Sequence, residues 1–396
     1  MSRIHHALVL NLHQPAGNLW ELLRDNTWEA KEILYALDRI PRSLWQYENI
    51  AKVSLSLSGT LQESLSDPEF QKQVYGVVDC GSLLWHLQNT SLFNILGTGY
   101  YHPVLPLLPE VDRIEQLQRW KGIGRHLFNR DNFQGFWPPE MGFSMEMIPL
   151  LKQMGYRYVI VDSEHVEAVT PMSWYELRYQ PHTARYKGDD IIVIVRDRDL
   201  SNAQESGMEL AWFENELYQR TKFCDFTPLV TTATDGDNGG WFRNPEMSAN
   251  FWGFYRSLLN KVKAGTSNIT PCFIDEYLDR FGAAGEVHVN TGAWNTGWHH
   301  GRDFTQWTGS EAQKSVLSRI ELTSLTLSKL NQKAIEDYPP DYDIFYHINE
   351  AKWRLLRSET SCNIFWGEAW VPRAHADLEA CWAELNIIQA KMNTTA

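Results

Sequence analysis

Short runs of β-branched and aliphatic residues recur along the chain: HALVLNL (6–12), KVSLSLS (52–58), LFNILG (92–97), FQGFW (133–137), YRYVIVD (156–162), DIIVIVR (190–196), TPLVTTAT (227–234) and EVHVN (286–290). Amphipathic stretches such as 68–88 and 110–129 lie between most of them. Strands alternating with helices imply a parallel sheet with right-handed crossovers, the α/β class. The stretch 175–195 reads instead as a local hairpin insertion. After about residue 310 the strand signal stops. Leu and Ile recur at helical spacing over 311–335, Pro339 and Pro340 break the pattern, and two more helices are predicted over 342–357 and 373–391. The pattern therefore divides the chain into a barrel-like unit over 1–310 and a helical bundle over 311–396. The turn SCNIFWGEAW (361–370) offers Trp366 and Trp370 either to the barrel rim or to packing between the two units.

Polar residues are distributed unevenly over this frame. His13, Ser58, His102, Glu140, Asp162, Arg196 and Asp235 each fall at, or a few residues past, the C-terminal end of a predicted strand. A closed ring of βα units collects those ends on one face, where such folds keep their chemistry. A (β/α) barrel of seven or eight strands follows. An open doubly wound sheet is the alternative, but no GxGxxG or P-loop pattern follows a strand to support nucleotide binding.

Composition narrows the partners. A formal net charge of −13 over 396 residues and the absence of a basic stretch argue against nucleic acid and against an anionic membrane surface. Five scattered cysteines without CxxC spacing suggest neither a disulfide framework nor a zinc knuckle, and with the lack of a secretory signal they point to the cytoplasm. Aromatic residues make up 13% of the chain, and many of the 17 tryptophans sit in polar loops: GFWPPE, GGWF, GAWNTGWHHG and FWGEAW. Flat aromatic faces among polar groups suit a sugar ring, which has an apolar C–H face and a hydroxyl rim.

Two acids stand out. Pro138 and Pro139 restrict the backbone into Glu140, which aims its carboxylate, although an acid after a proline pair is also favoured by a helix dipole. Asp235 ends a β-type run and opens a glycine-rich turn, TDGDNGG. A barrel brings both to one rim, and two converging carboxylates are the working parts of glycoside hydrolysis. The same turn places Asp235, Asp237, Gly240 and Glu246 at positions 1, 3, 6 and 12 of a calcium loop, but the segment before it is β-like and position 5 is Gly239. Candidate substrate-binding residues are His13 and Gln14 before Pro15, His102 before Pro103, Trp137, Asp237, Trp241, and the loop residues Trp294, Trp298 and His299. Adjacent histidines without HxxxH or HExxH spacing suggest no metal, and no cofactor motif is present.

These stretches resemble glycoside hydrolase family 57. HQP (13–15) is similar to the family's first signature, YYHPVLPLL to its second, GFWPPE to its third and TDGDNGG to its fourth, with 290–301 a looser match to the fifth. The resemblance implies an incomplete seven-stranded (β/α) barrel followed by a helical domain, and a retaining hydrolase or transglycosylase acting on α-glucan. It maps the nucleophile onto Glu140 and the general acid/base onto Asp235. The fourth region departs from the family pattern at Asp237, Asn238 and Gly239, where a glutamate and bulkier residues are usual. The alternatives are an α-glucan-binding protein with impaired turnover and, against the missing HxxxH, a metal-dependent polysaccharide deacetylase.

Overall fold

The computed structural model describes residues 3–294, 296, 303–340 and 342–395. Its strands are β1 (Ile4–Leu12), β2 (Val53–Leu57), β3 (Phe93–Leu96), β4 (Gly135–Phe136), β5 (Tyr158–Asp162), β6 (Val166–Ala168), β7 (His182–Tyr186), β8 (Asp189–Arg196), β9 (Leu229–Asp235), β10 (Ile269–Pro271) and β11 (Gly285–Val289). Seven of them trace a ring of parallel neighbours. β1 pairs with β2, β2 with β3, β4 with β5, β5 with β8, β8 with β9, and β9 with β1. The gap between β3 and β4 is spanned by a single bridge from Gly97 to Phe136, where Gly97 N–H donates to Gly135 O at 2.9 Å and Trp137 N–H to Gly97 O at 2.8 Å. The β8–β9 seam is also thin, with Arg196 opposite Thr231. The ring is one strand short of eight and narrowly closed, as an incomplete barrel should be.

Strand alternation sorts the core into two layers. Ala7, Val9, Tyr158, Ile160, Ile194 and Ala233 fill the ring, while Leu8, Leu10, Val159, Val161 and Val193 pack outward under the helices. Every residue of β2 and β5 is buried, which is the condition of a parallel strand covered on both faces.

Two sequence expectations need correction, and one strand was not read. The stretch 68–88 is two helices, Pro68–Val74 and Cys80–Leu87. Asp67 caps the first by accepting from Glu69 N, and Asp79 restarts the second by accepting from Ser82 N. The hairpin at 175–195 exists as antiparallel β7 and β8, turning through left-handed Lys187 and Gly188, but it is no insertion because β8 is itself a barrel strand. Pairing with β7 leads onward to β11, which pairs with β6, as a side sheet. β10, three residues long, pairs with the start of β1 and carried too short a pattern to be read.

At the C-terminus, Glu311–Asp337, Ile344–Ser358 and Val371–Thr395 are long helices packed on one another. A short helix, Ser361–Phe365, lies between the second and third. Among the described residues no helix is long and apolar enough to cross a membrane.

Candidate active site

The strand ends deliver their polar residues to one mouth. Around the ring, β4 and β9 are separated by β5 and β8 on one side and by β3, β2 and β1 on the other, so Glu140 and Asp235 enter from opposite walls.

Backbone geometry aims Glu140. Pro138, at φ −67° and ψ 125°, leads into Glu140 and Met141, whose φ angles of 57° and 51° are both left-handed. That conformation costs a residue with a side chain about 1–2 kcal/mol and persists where surrounding contacts over-determine it. Two contacts do so here: Trp294 N–H donates to Glu140 O at 3.1 Å, and Phe143 bridges Gly292. His102 is also left-handed, at φ 54°. Strain thus collects at two of the strand ends predicted to carry chemistry.

Each oxygen of Glu140 has its own donor. Ser361 Oγ donates to Oε1 at 2.7 Å, and Trp294 Nε1 donates to Oε2 at 3.1 Å. His102 Nε2 lies 3.7 Å from Oε1, beyond hydrogen-bond range, and the His102 ring stacks on His13 with centroids 4.1 Å apart. Burial pushes the His13 pKa down to about 3 and, with the adjacent His13, holds His102 well below the ordinary histidine range. Both rings are neutral near pH 7, so Glu140 has no imidazolium partner.

On the opposite wall, Asn11 stands opposite Asp235 in the β1–β9 register and its Nδ2 donates to Asp235 Oδ1 at 2.8 Å. Gln14 Nε2 donates to Asp237 Oδ2 at 3.0 Å, and Gln14 Oε1 accepts from Asn18 Nδ2 at 2.9 Å. Burial raises all three carboxyls: Glu140 to about 7, opposed by the Ser361 bond and reinforced by the charge of Asp235; Asp235 to about 6, opposed by the Asn11 bond; and Asp237 to about 7, reinforced by Asp235. Glu140 receives a donor on each oxygen, and the side chains of Asn11 and Asn238 hydrogen-bond to Asp235, so at both carboxyls hydrogen bonds oppose burial.

Behind this pair runs a buried ion network. Arg196 Nη1 contacts Asp162 Oδ2 at 2.5 Å, Arg198 Nε contacts Asp162 Oδ1 at 2.8 Å, and Arg196 Nε donates to Ala233 O at 2.7 Å. The Arg196 guanidinium lies 5.9 Å from the Trp294 ring centre, tying that indole to the β8 wall.

The other candidates divide. Trp137 is fully buried and meets Trp294 edge to face at 5.8 Å, beneath the mouth. Trp241 instead joins Trp212 and Phe254 in lining a cavity of about 820 Å³ on the flank. Trp298 and His299 lie outside the described residues. Trp366 is exposed, so it is Ser361 and Cys362 that reach the barrel from the turn 361–370, with Cys362 Sγ 3.9 Å from His13 Nε2. The segment 235–246 does not form a calcium loop. Asp237 turns its carboxyl to Gln14, and Arg243 donates from Nε to Asp237 O at 2.9 Å and from Nη2 to Asn238 Oδ1 at 2.9 Å, placing a cation of the chain's own in the turn. Among the described residues no three His, Cys, Asp or Glu side chains group as metal ligands.

Sequence reasoning missed Asn11, Ser361 and Cys362. Asn11 had a signal, a polar residue inside the apolar run ALVLNL, whereas nothing in SCNIF marks a contact with a carboxylate more than 200 positions earlier.

Comparison with known proteins agrees with this architecture. An alpha-amylase from Pyrococcus horikoshii is 28% identical over 203 residues, covering 50% of this chain and 29% of that protein. A 4-alpha-glucanotransferase from Thermococcus litoralis is 26% identical over 168 residues, covering 42% of this chain and 22% of the relative. The chain thus spans well under half the length of these relatives. The crystal structure of an alpha-amylase from Thermotoga maritima superposes with a TM-score of 0.72 at 12% identity, covering 100% of this chain and 94% of that one. The model of glycosyl hydrolase family 57 matches residues 8–290, which include β1, Glu140 and Asp235, and the chain belongs to that family.

Proposed function

We propose that this protein acts on α-linked glucan by double displacement, with Glu140 as nucleophile and Asp235 as general acid/base. The observation that carries the reading is the placement of two acids: buried carboxyls from opposite walls of one barrel mouth, both raised toward neutrality by burial, with a donor on each oxygen of Glu140. Glu140 attacks the anomeric carbon while Asp235 gives its proton to the departing glycosidic oxygen. Asp235, now ionised, takes a proton from the incoming water or sugar hydroxyl, which displaces Glu140. The relatives' names support α-glucan as substrate, with amylase and glucanotransferase activities both among them. Neutral His13 and His102, each with a buried Nδ1 that has no partner among the described residues, supply hydrogen-bonding capacity for sugar hydroxyls. Asp237, held by Gln14, is itself raised to about 7 by burial and by the charge of Asp235.

The test is a product profile on maltoheptaose and amylose. Wild type is expected to change chain lengths, longer and shorter products marking transfer and rising reducing ends marking hydrolysis. Glu140→Ala and Asp235→Ala are expected to lose about a hundredfold to ten-thousandfold in rate. Azide added to Glu140→Ala should yield a β-glycosyl azide, because it attacks from the face the nucleophile occupied. Wild-type rates in either variant overturn the assignment, and maltoheptaose that binds without product returns the chain to the binding-only reading.

A further inference from the structure

We infer that Ser361, carried by the C-terminal helices and not by the barrel, is a positioning residue for Glu140 that orients its carboxyl and holds it as the anion. This rests on the α-glucan reading for the reaction served, and on geometry alone for the carboxylate. Ser361 lies beyond the segment matched by the family model, which ends at residue 290.

The contact is built rather than incidental. Ser361 is fully buried, and its Oγ donates to Glu140 Oε1 at 2.7 Å. Its backbone N–H donates to His102 O at 3.2 Å, which fixes the hydroxyl to the loop whose imidazole borders the same oxygen. Two residues upstream, Glu359 is fully buried, and its Oε2 accepts from Gln116 Nε2 at 2.8 Å. Gln116 also donates to Leu356 O at 3.0 Å and accepts from Tyr101 N–H at 2.9 Å. One barrel side chain therefore clamps the approach to Ser361 and the approach to His102 together.

The donor matters because little else favours a charged Glu140. The titratable and charged groups near it are His102 and His13, both neutral, the Cys362 thiol, pushed up to about 12 by burial and by the charges of Glu140 and Asp235, and Asp235, which repels it. Arg196 is committed to Asp162 and the Ala233 carbonyl. Ser361 and Trp294 are the donors that oppose burial, one per oxygen. A hydrogen bond to a charged group is strong enough to move its titration by about one pH unit.

The experiment compares wild type, Ser361→Ala, Ser361→Thr and Ser358→Ala. Ser358 Oγ donates to Leu355 O at 2.6 Å, so its loss loosens the same segment without touching Glu140. Two quantities are read: the acid limb of kcat/KM on maltoheptaose, and the titration of the Glu140 side-chain carboxyl by ¹³C NMR, its resonance identified by loss in Glu140→Gln. Ser361→Ala is expected to raise both midpoints by about one pH unit. Ser361→Thr should restore the titration, and Ser358→Ala should lower the melting temperature with neither midpoint moved. A Glu140 titration unchanged in folded Ser361→Ala, or moved equally by Ser358→Ala, overturns the inference. A moved titration in a protein that does not turn over maltoheptaose supports the positioning role and rejects the α-glucan reading.

Discussion

Asn11 Nδ2 donates to Asp235 Oδ1 at 2.8 Å across the β1–β9 ladder, from a side chain that is fully buried. The bond serves the ionised form of Asp235, because an amide N–H only donates. Asn11→Leu keeps much of the volume and removes the donor. It is expected to cost about 1–3 kcal/mol at pH 8, where Asp235 is charged, and less at pH 5, where it is protonated. Urea unfolding at the two pH values checks this, and an equal loss at both would separate Asn11 from the charge of Asp235.

Asp237 carries a linkage of definite sign. Its folded pKa, about 7, lies above the ordinary aspartate value, so the native state binds the extra proton. That contribution to stability is complete below the unfolded pKa and is lost as pH rises through about 7. Buried neutral histidines work in the opposite direction at lower pH, so the whole-protein curve mixes the two, and only a difference isolates the group. Asp237→Asn is expected to be more stable than wild type at pH 8 by about 1–3 kcal/mol, with the gain fading by pH 4. Melting curves across that range decide it, and a gain independent of pH would mean that packing is responsible.

Much of the barrel was legible because a parallel strand wrapped by helices writes itself as an uninterrupted apolar run. Tyr158–Asp162 and Leu229–Asp235 end where the runs end, each on an aspartate. Glu140 was legible for a different reason: two prolines are a local cause with a local effect. What could not be read depended on register or on distance. Asn11 matters only because β1 and β9 pair with it opposite Asp235. β10 is too short for any period to show, and β8 looked like half of an isolated hairpin because its pairing with β5 is non-local. Ser361 reaches Glu140 by way of helix packing, which no sequence spacing encodes.

The left-handed backbone at Glu140 yields a test of strain at this site. At φ 57° a glycine has no Cβ to oppose the conformation, whereas alanine keeps the penalty and loses the carboxylate's bonds to Ser361 and Trp294 just as glycine does. Glu140→Gly is therefore expected to be more stable than Glu140→Ala by about 1 kcal/mol, reversing the usual order of these residues. Chemical denaturation of the two variants measures it. Alanine equal to or above glycine would show that the left-handed turn carries no strain in solution.

The joint between β3 and β4 links the fold to the chemistry most directly. One bridge closes the ring there, and Glu140 follows it by only a few residues. Both glycines of the joint leave room for tyrosines at the start of β5 or just before it: a Cβ on Gly97 would stand 2.2 Å from the Tyr156 hydroxyl oxygen and 2.3 Å from a ring carbon, and one on Gly135 would stand 2.3 Å from the Tyr158 ring. Both tyrosines are buried, so neither ring can swing clear. Gly97→Ala is expected to cost about 1–3 kcal/mol by overpacking. It should also lower activity on maltoheptaose more than its stability loss explains, since the displaced strand leads into Glu140, the proposed nucleophile. Gly122→Ala is the matched control, because a Cβ there meets nothing within 4 Å on the helix Glu110–Phe128 and should stabilise by about 0.5–1 kcal/mol. Tyr156→Leu removes the obstructing ring. If crowding at Tyr156 is the cause, the double variant Gly97→Ala/Tyr156→Leu will recover stability relative to the sum of the singles, and recovery of activity with it will show that the joint acts on Glu140 through position. Strict additivity would mean that Gly97 is needed for its own backbone and not for the tyrosine.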